Sequence, residues 1–181
     1  MSGSKHDEPV ILWDSCVFLA WLKEEKDKPL DDIREFIKDF EAGKKALQIS
    51  VLSYAEVLDI VKPNEPLAAT AGTRFRQWVK RPSVEVLDVD PRIADKAGEL
   101  KEKTIALRAT VPKAVLKIPD ALIAATAMIY EADILHTFDP DMLNVAPHGI
   151  FGTLSVTMPA YPWPDTPLFK KPGSSLGDGL D

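Results

Sequence analysis

The stretch Val10-Ile11-Leu12-Trp13-Asp14 decides the fold class of this chain, because it is a short apolar run that ends on a carboxylate. Such a run, bounded by polar residues, predicts a buried strand. The run Ile134-Leu135-His136-Thr137-Phe138 has the same character and is followed by Asp139. Ligands of open parallel sheets bind beyond the carboxyl ends of the strands, so we expect Asp14 and Asp139 at one binding edge.

Short apolar runs alternate with helical periodicity between residues 10 and 153, a pattern typical of an α/β fold. We predict strands at 10–13, 46–51, 84–89 and 134–137, and a fifth, edge strand at 150–153. We predict helices at 15–23, 30–42, 53–61, 70–80, 91–109 and 120–131, with Ile93, Ala97, Leu100 and Ile105 on the inner side of the fifth helix. The expected architecture is a central parallel sheet of four to five strands, covered by helices.

The length of 181 residues and the hydrophobic content of 45% suffice for one domain with a full core. We divide the chain into a flexible N-terminus at 1–8, a globular domain at 9–154 and a proline- and glycine-rich arm at 155–181, whose prolines exclude a helix or a central strand. The arm contains Tyr161, Trp163 and Phe169, which leaves two alternatives: packing on its own domain or a neighbouring subunit, or a solvated polyproline-like tail. Its end, 173–181, is expected to be disordered.

Composition and charge narrow the functional classes. The longest apolar stretch, 121–130, is far shorter than the roughly 20 residues that span a membrane, and the N-terminus lacks a signal-peptide pattern, so we expect a cytoplasmic protein. The single cysteine, Cys16, allows no internal disulfide and is either a small buried side chain or a nucleophile. The net charge of −6 argues against a broad surface for nucleic acid, so a nuclease would have to concentrate its positive charge.

Four carboxylates follow predicted strands or open predicted helices: Asp14, Glu56, Asp120 and Asp139. Each has a structural explanation: a helix cap for Asp14, a capping box with Ser53 for Glu56, the positive end of a helix dipole for Asp120 and a turn for Asp139. All four explanations also place the carboxylates at strand ends and helix starts, where a hard cation could collect them. The joint pattern therefore predicts a site for Mg²⁺ or Mn²⁺.

These carboxylates lie in four segments: Val10-Ile11-Leu12-Trp13-Asp14-Ser15, Ser53-Tyr54-Ala55-Glu56-Val57, Pro119-Asp120-Ala121-Leu122-Ile123-Ala124-Ala125-Thr126-Ala127 and Leu135-His136-Thr137-Phe138-Asp139-Pro140-Asp141. In order and spacing the segments resemble the PIN-domain nuclease family, over roughly residues 10–153. The most specific part is the third segment followed closely by the fourth, and it is similar to the VapC-like toxin ribonucleases of bacterial toxin–antitoxin pairs.

The resemblance implies a three-layer α/β/α domain, a pocket for Mg²⁺ or Mn²⁺ at the strand C-termini, and endoribonuclease activity on RNA. It implies that Asp14, Glu56, Asp120 and Asp139 are the catalytic, metal-binding residues, with Ser15 and Thr137 as their polar neighbours. It also leaves an antitoxin partner and a homodimer open. No membrane partner is expected.

Two residues depart from the family pattern. Trp13 stands where leucine is more usual, and Cys16 stands where asparagine or another polar residue is common. Because all four acids are present, these departures bear on substrate choice more than on metal binding. They also limit the alternatives: a phosphatase of the haloacid-dehalogenase type would need a second aspartate at the position of Cys16. A non-catalytic PIN-like regulatory or interaction module stays open as the second function.

Substrate contacts require cations, and the segment 70–81 combines basic and aromatic residues. We predict that its four basic side chains contact RNA, since phosphates favour arginine and unpaired bases stack on aromatic rings: Arg74, Arg76, Lys80 and Arg81. The alternative is an amphipathic helix, with Phe75, Trp78 and Val79 toward the core and the basic residues solvated.

Overall fold

The computed structural model describes residues 8–60 and 66–163, and the predictions made for 1–7, 61–65 and 164–181 lie outside these residues. The strands in the described ranges are β1 (Ile11–Trp13), β2 (Leu47–Ser50), β3 (Val84–Leu87), β4 (Ile134–His136) and β5 (Ser155–Thr157). The helices are α1 (Ser15–Lys23), α2 (Leu30–Glu41), α3 (Val51–Ile60), α4 (Pro66–Trp78), α5 (Pro91–Leu107), α6 (Ile118–Ile129) and α7 (Pro140–Val145), followed by the 3-10 turn Ala146–His148.

The five strands form one parallel sheet in the order β3-β2-β1-β4-β5. Strand β1 is central: β2 and β3 are added on one side of it, and β4 and β5 on the other. The strand order therefore reverses between β1 and β4. In open parallel sheets, the crevice beyond the strand C-termini at such a reversal is where ligands bind.

Helices cover both faces of the sheet, and side-chain alternation along β1 shows why. Ile11 and Trp13 are buried in one core layer, with side chains of α1 and α2, whereas Leu12 is buried in the other layer, with side chains of α5 and α6. A parallel strand buried on both faces reads as an uninterrupted apolar run, as β1 does. The predicted three-layer α/β/α fold with a central parallel sheet is confirmed. In the described part of the chain, no helix is both long and apolar enough to cross a membrane.

Helix α3 begins two residues earlier than the predicted start at Ser53, and this removes the capping box. Ser50, the last residue of β2, precedes the helix, and its Oγ accepts a hydrogen bond from the N–H of Leu52 at 3.3 Å. Ser53 is consequently inside the first turn, where its Oγ is buried without a hydrogen-bond partner in the described residues. The predicted pairing of Ser53 with Glu56 as a capping box is therefore wrong.

Two further predictions are corrected by local geometry. The edge strand is at Ser155–Thr157, not at 150–153, because Gly149 and Gly152 have left-handed φ values of +70° and +63° that interrupt an extended backbone. On α5, Ile105 is 56% exposed, and Thr104 takes the inner position one turn after Leu100, to whose carbonyl its hydroxyl donates at 2.8 Å. The sheet thus continues past residue 154, and the division of the chain into three parts stays a prediction.

The segment that follows β5 packs on helix α2 of its own domain. The hydroxyl of Tyr161 donates to Asp39 at 2.8 Å, and the indole N–H of Trp163 donates to Asp32 at 2.6 Å. Both aspartates are buried, and the Tyr161 ring also makes an edge contact with Phe36. Of the alternatives for the arm, packing on its own domain therefore holds up to residue 163, and Phe169 lies outside the described residues.

The buried pair of Trp13 and His136 links β1 to β4. The two residues are in register across the parallel strands, and the Trp13 indole N–H donates to His136 Nδ1 at 3.0 Å. Burial lowers the pKa of His136 to about 4, so the ring is neutral at physiological pH and its Nδ1 can accept. A tryptophan at position 13 therefore brings a polar N–H into the core, and His136 satisfies it.

We expect His136 to make the stability of the fold depend on pH, with a loss of stability in acid. Its folded pKa lies below the ordinary value of about 6.5, so its contribution is fully present above pH 6.5 and is lost as the pH falls through 4. In His136→Gln, a neutral acceptor that does not titrate replaces the ring. The difference in unfolding free energy between wild type and this variant, from denaturant titrations, should change by about 3 kcal/mol between pH 7 and pH 4. A difference that is constant over this range would contradict the buried neutral histidine.

Candidate functional site

The four predicted acids line one cavity of about 500 Å³ at the C-terminal edge of the sheet. Asp14 follows β1, Glu56 lies on α3, Asp120 lies in the first turn of α6 and Asp139 precedes α7. The other charged or aromatic side chains in the described lining are Glu25, Lys28, Asp59 and Phe138. Residues far apart in sequence are brought together because the cavity lies beside β1 and β4, where the strand order reverses.

Asp14 is held by hydrogen bonds on both oxygens. It caps α1, with Oδ1 accepting from the Ser15 N–H at 2.6 Å, as its structural explanation predicted. Its Oδ2 accepts from the hydroxyl of Thr137 at 2.7 Å and from the thiol of Cys16 at 3.2 Å. The residue is 5% exposed, so these donors compensate for most of the water that its carboxylate has lost. Capping and a position in the cavity are therefore compatible.

Cys16 connects three groups at the base of the cavity. Besides donating to Asp14, its sulfur accepts from the N–H of Phe138 at 3.1 Å and lies 3.5 Å from the hydroxyl of Thr137. Burial, followed by the charge of Asp14, raises the pKa of the thiol to about 12. A thiol that keeps its proton at neutral pH is a poor nucleophile. The geometry therefore favours a hydrogen-bonding role over a nucleophilic one.

Asp139 is oriented from both sides. Its backbone N–H donates to Thr137 Oγ1 at 2.9 Å, and its Oδ1 accepts from the N–H of Met142 at 2.9 Å, which caps α7. Thr137 thus contacts both Asp14 and Asp139, whereas Ser15 contacts Asp14 alone among the four acids in the recorded hydrogen bonds. These contacts place the two predicted polar neighbours against the carboxylates, and their part in catalysis stays a prediction.

Asp120 is the acid whose burial is least compensated. Its Oδ2 is buried and has no hydrogen-bond partner in the described part of the chain. Burial first, then the charges of Asp139 and Asp14, raise its pKa to about 6, with the charge of Lys117 acting in the opposite direction. The like charges show that the carboxylates are close enough to repel one another. A cation placed among them would remove that repulsion.

The donor set suits a hard divalent cation in type and placement. All four predicted ligands are carboxylates, and the unpaired Oδ2 of Asp120 offers a free acceptor. Within residues 8–60 and 66–163, however, no three His, Cys, Asp or Glu side chains already form a group that would hold a metal ion. Side-chain rotation would therefore have to accompany binding.

The basic segment 70–81 is not part of the described lining of the acidic cavity. Phe75, Trp78 and Val79 are buried, as the amphipathic alternative predicted. Arg74 lies over the ring of Trp21 at 4.7 Å, and Arg81 pairs with Glu41 at 2.8 Å. Residues 80 and 81 precede β3, so they lie toward the N-terminal edge of the sheet, away from the acids. None of the four predicted RNA contacts, Arg74, Arg76, Lys80 and Arg81, is among the described lining residues, and their binding to RNA stays a prediction.

Sequence reasoning missed the cavity residues Glu25, Lys28 and Asp59. A signal for the first two was available: two helices lie between β1 and β2, and α2 must end at the N-terminal edge of the sheet, where β2 begins. Helix α2 therefore starts near the C-terminal edge of the sheet, and the turn that precedes it lies at the site. Asp59 lies one helical turn after Glu56 on α3, so the two side chains share a helix face.

We expect Asp120→Asn to stabilise the metal-free protein at pH 7 to 8. The folded pKa of this acid is raised, so its stabilising contribution is present below pH 4 and is lost as the pH rises through 6. Removing the charge should recover about 1 kcal/mol after allowance for solvent screening. Denaturant unfolding in chelator measures this, with Asp95→Asn on the exposed side of α5 as the control. A variant that is less stable than wild type at every pH would show that Asp120 is structural.

Solved structures with the same fold come from several bacteria. VapBC2 from Rickettsia felis, bound to a DNA fragment from its promoter, matches with a TM-score of 0.56 and 16% identity over 81% of this chain and 96% of that chain. A toxin–antitoxin complex from Klebsiella pneumoniae matches with a TM-score of 0.53 and 20% identity over 83% and 98%. VapBC-5 from Mycobacterium tuberculosis, of the VapBC family of toxin–antitoxin systems, matches with 0.54 and 18% over 83% and 99%. At these identities the likeness shows the fold alone.

The family is shown by the sequence itself. No curated protein matches the chain. The family model of the PIN domain matches residues 11–147, a range that runs from β1 past α7 and contains all four acids of the cavity. On this match and this fold, the chain belongs to the PIN domain family.

Proposed function

We propose that this protein is a ribonuclease that depends on Mg²⁺ or Mn²⁺ and hydrolyses RNA phosphodiester bonds. The observation that carries the proposal is the cavity itself: Asp14, Glu56, Asp120 and Asp139, from four different elements, line one space at the C-terminal edge of the sheet. Placing like charges close together is unfavourable for the fold, so their presence calls for a function. The membership of the PIN domain family supports the same activity.

In this proposal, each acid has a role in metal or water binding that follows from its position in the cavity. Asp14 and Asp120 are the principal metal ligands in this proposal. Asp14 is fixed by hydrogen bonds on both oxygens, and Asp120 Oδ2 has no partner within residues 8–60 and 66–163. Glu56 and Asp139 hold water or a second ion. A bound divalent ion would lower the pKa of the attacking water and neutralise the charge that develops on the phosphate oxygens.

The residues around the acids restrict their movement. Thr137 donates to Asp14 and accepts from the backbone of Asp139, so it fixes the spacing between the ends of β4 and β1. Ser15 adds its N–H and hydroxyl to Asp14 Oδ1. Because these donors already occupy Asp14, its carboxylate cannot rotate freely. Such pre-organisation is what an in-line attack on phosphorus requires.

The biological setting is a second part of the proposal. The Klebsiella pneumoniae structure is a toxin–antitoxin complex, and VapBC-5 belongs to a family of toxin–antitoxin systems. By this analogy we propose that the chain acts in the cytoplasm as the toxin of such a pair, with an antitoxin protein as partner and assembly as a homodimer. Co-purification with a neighbouring gene product, and the mass of the purified protein in solution, test these two statements.

We expect Asp120→Asn and Asp14→Asn each to abolish cleavage of labelled RNA in Mg²⁺ or Mn²⁺. A neutral amide holds a hard cation poorly, whereas an acid that only caps a helix can be replaced by asparagine with little loss. Asp120→Asn should keep the fold, because Asp120 Oδ2 makes no hydrogen bond with the described residues that the change would remove. Asp14→Asn should cost stability, because an amide NH₂ would face two donors, the hydroxyl of Thr137 and the thiol of Cys16.

The matched control is Asp95→Asn, which removes a charge from the exposed side of α5 and should cleave at the wild-type rate. Cleavage by wild type must also stop in chelator. Near-wild-type cleavage by a folded Asp120→Asn would reject the site as drawn. Absence of cleavage by the wild-type protein in either metal would instead leave the non-catalytic PIN-like module as the explanation.

We expect divalent metal to raise the thermal midpoint of the wild-type protein. Binding at about 100 times the dissociation constant stabilises the folded state by roughly 2.7 kcal/mol, and each kcal/mol moves the midpoint of a domain of this size by roughly 2–4 °C. Thermal unfolding in Mg²⁺, Mn²⁺ and chelator measures the shift, which Asp120→Asn should reduce. A thermal midpoint that is unchanged by millimolar Mg²⁺ and by millimolar Mn²⁺ would argue against a site formed without substrate.

A further inference from the structure

One wall of the acidic cavity carries a lysine in contact with an aromatic ring. Lys28 Nζ lies 5.1 Å from the centre of the Phe138 ring, and both side chains line the cavity. Lys28 is in the turn between α1 and α2, where its N–H donates to the carbonyl of Glu25 at 3.1 Å. Phe138 follows β4, its N–H donates to Cys16, and its ring packs partly against the core. Both residues are therefore positioned by the fold itself.

The charges of the cavity make Lys28 significant. Among the described lining residues it is the one cation, beside six carboxylates: Asp14, Glu25, Glu56, Asp59, Asp120 and Asp139. An RNA strand that enters such a space meets repulsion from almost every side. The lysine is the protein group in the described wall that attracts a phosphate, in addition to any bound metal.

The present partners of Lys28 are weak. Its ion pair with Asp27, at 3.2 Å, is formed by a carboxylate with a 74% exposed side chain, and exposed pairs contribute little. A cation over an aromatic ring near the surface is held only weakly. A phosphate oxygen, which adds full charge and a hydrogen bond, is a stronger partner than the ring. The ammonium can therefore leave Phe138 for a phosphate, and the face of the ring then becomes available.

We propose that Lys28 and Phe138 clamp one nucleotide of a single RNA strand, with a phosphate on Lys28 and an unpaired base stacked on Phe138. The inference rests on the proposed ribonuclease function and names two side chains that would hold its substrate. Bases in a duplex are stacked on one another and paired, so they cannot offer a face to the ring. The clamp should therefore take only an unpaired nucleotide.

The test measures binding of a short, unstructured, fluorescein-labelled RNA in Mg²⁺ to the Asp120→Asn protein, which should not cleave it. Adding Lys28→Ala should weaken binding and reduce the slope of log affinity against log salt by about 0.7, the value for one lost contact on a single strand. Adding Lys26→Ala is the matched control, because this exposed lysine is in the same turn and is not among the described lining residues. It should change the affinity far less.

The ring is tested separately. Phe138→Leu should weaken binding at least about fivefold, the lower limit for loss of one stacked base, and Phe138→Tyr should restore it. With an RNA that carries abasic sites, the Phe138→Leu variant and its parent should bind equally. Thermal midpoints of all variants identify any loss of fold. If the leucine variant unfolds, Phe138→Tyr is compared on the two strands, and its affinity should be at least about fivefold weaker on the abasic strand than on the intact one.

Several results would overturn the clamp. For the lysine, they are equal affinities of Lys28→Ala and Lys26→Ala, or a salt slope that depends on Arg76 and Lys80 instead. For the ring, the contradicting result is an effect of Phe138→Leu that persists on abasic RNA. Equal binding of duplex and single strand, or no binding by the parent protein, would also overturn it. The two proposals fail independently. Loss of the clamp with cleavage still abolished by Asp120→Asn leaves the ribonuclease, whereas clamp-dependent binding without cleavage by wild type removes the ribonuclease and keeps the clamp.

Discussion

The hydrogen bond from the hydroxyl of Thr137 to Asp14 Oδ2 is the interaction on which the rest of the site depends. It can form because β1 and β4 are neighbours, with Trp13 in register with His136, so the two residues that follow them are adjacent. The same hydroxyl accepts from the backbone of Asp139 and so orients a second acid. The pairing of two short strands thereby fixes the arrangement of the polar groups beyond their ends.

Structural and chemical roles coincide in this cavity. Asp14 and Asp139 cap helices, and positive helix N-termini partly offset the repulsion among the acids. Asp120 gains no such hydrogen bond on its buried Oδ2 from the part of the chain that the structure describes. A capping interaction therefore does not argue against a functional role, whereas an uncompensated buried oxygen argues for one. This distinction separates residues that looked equivalent in the sequence.

The parts of the fold that could be predicted from the sequence are those in which a local signal and the tertiary environment agree. Helix α1 has the predicted bounds, and the apolar runs at β1 and β4 were recognisable because parallel strands are buried on both faces. The start of α3 was not decided locally, since Ser50 and Ser53 both suit a helix cap and the choice depends on where β2 stops pairing with β3. Lys28 could not be recognised as a cavity residue from composition, because its place depends on how α1 and α2 are connected.

The separation of Asp14 from Thr137 by 123 residues has a consequence for the order of events during synthesis. Strand β1 is made first, yet its neighbour β4 follows only after β2, β3 and the six helices α1 to α6. At ribosomal rates of 5–20 residues per second, this delay is about 6 to 25 s. A nascent chain that stops before residue 137 lacks the donor that fixes Asp14, and it lacks Asp139 altogether. The acidic cavity is therefore complete only after synthesis has passed residue 139, so shorter translation products cannot carry its chemistry.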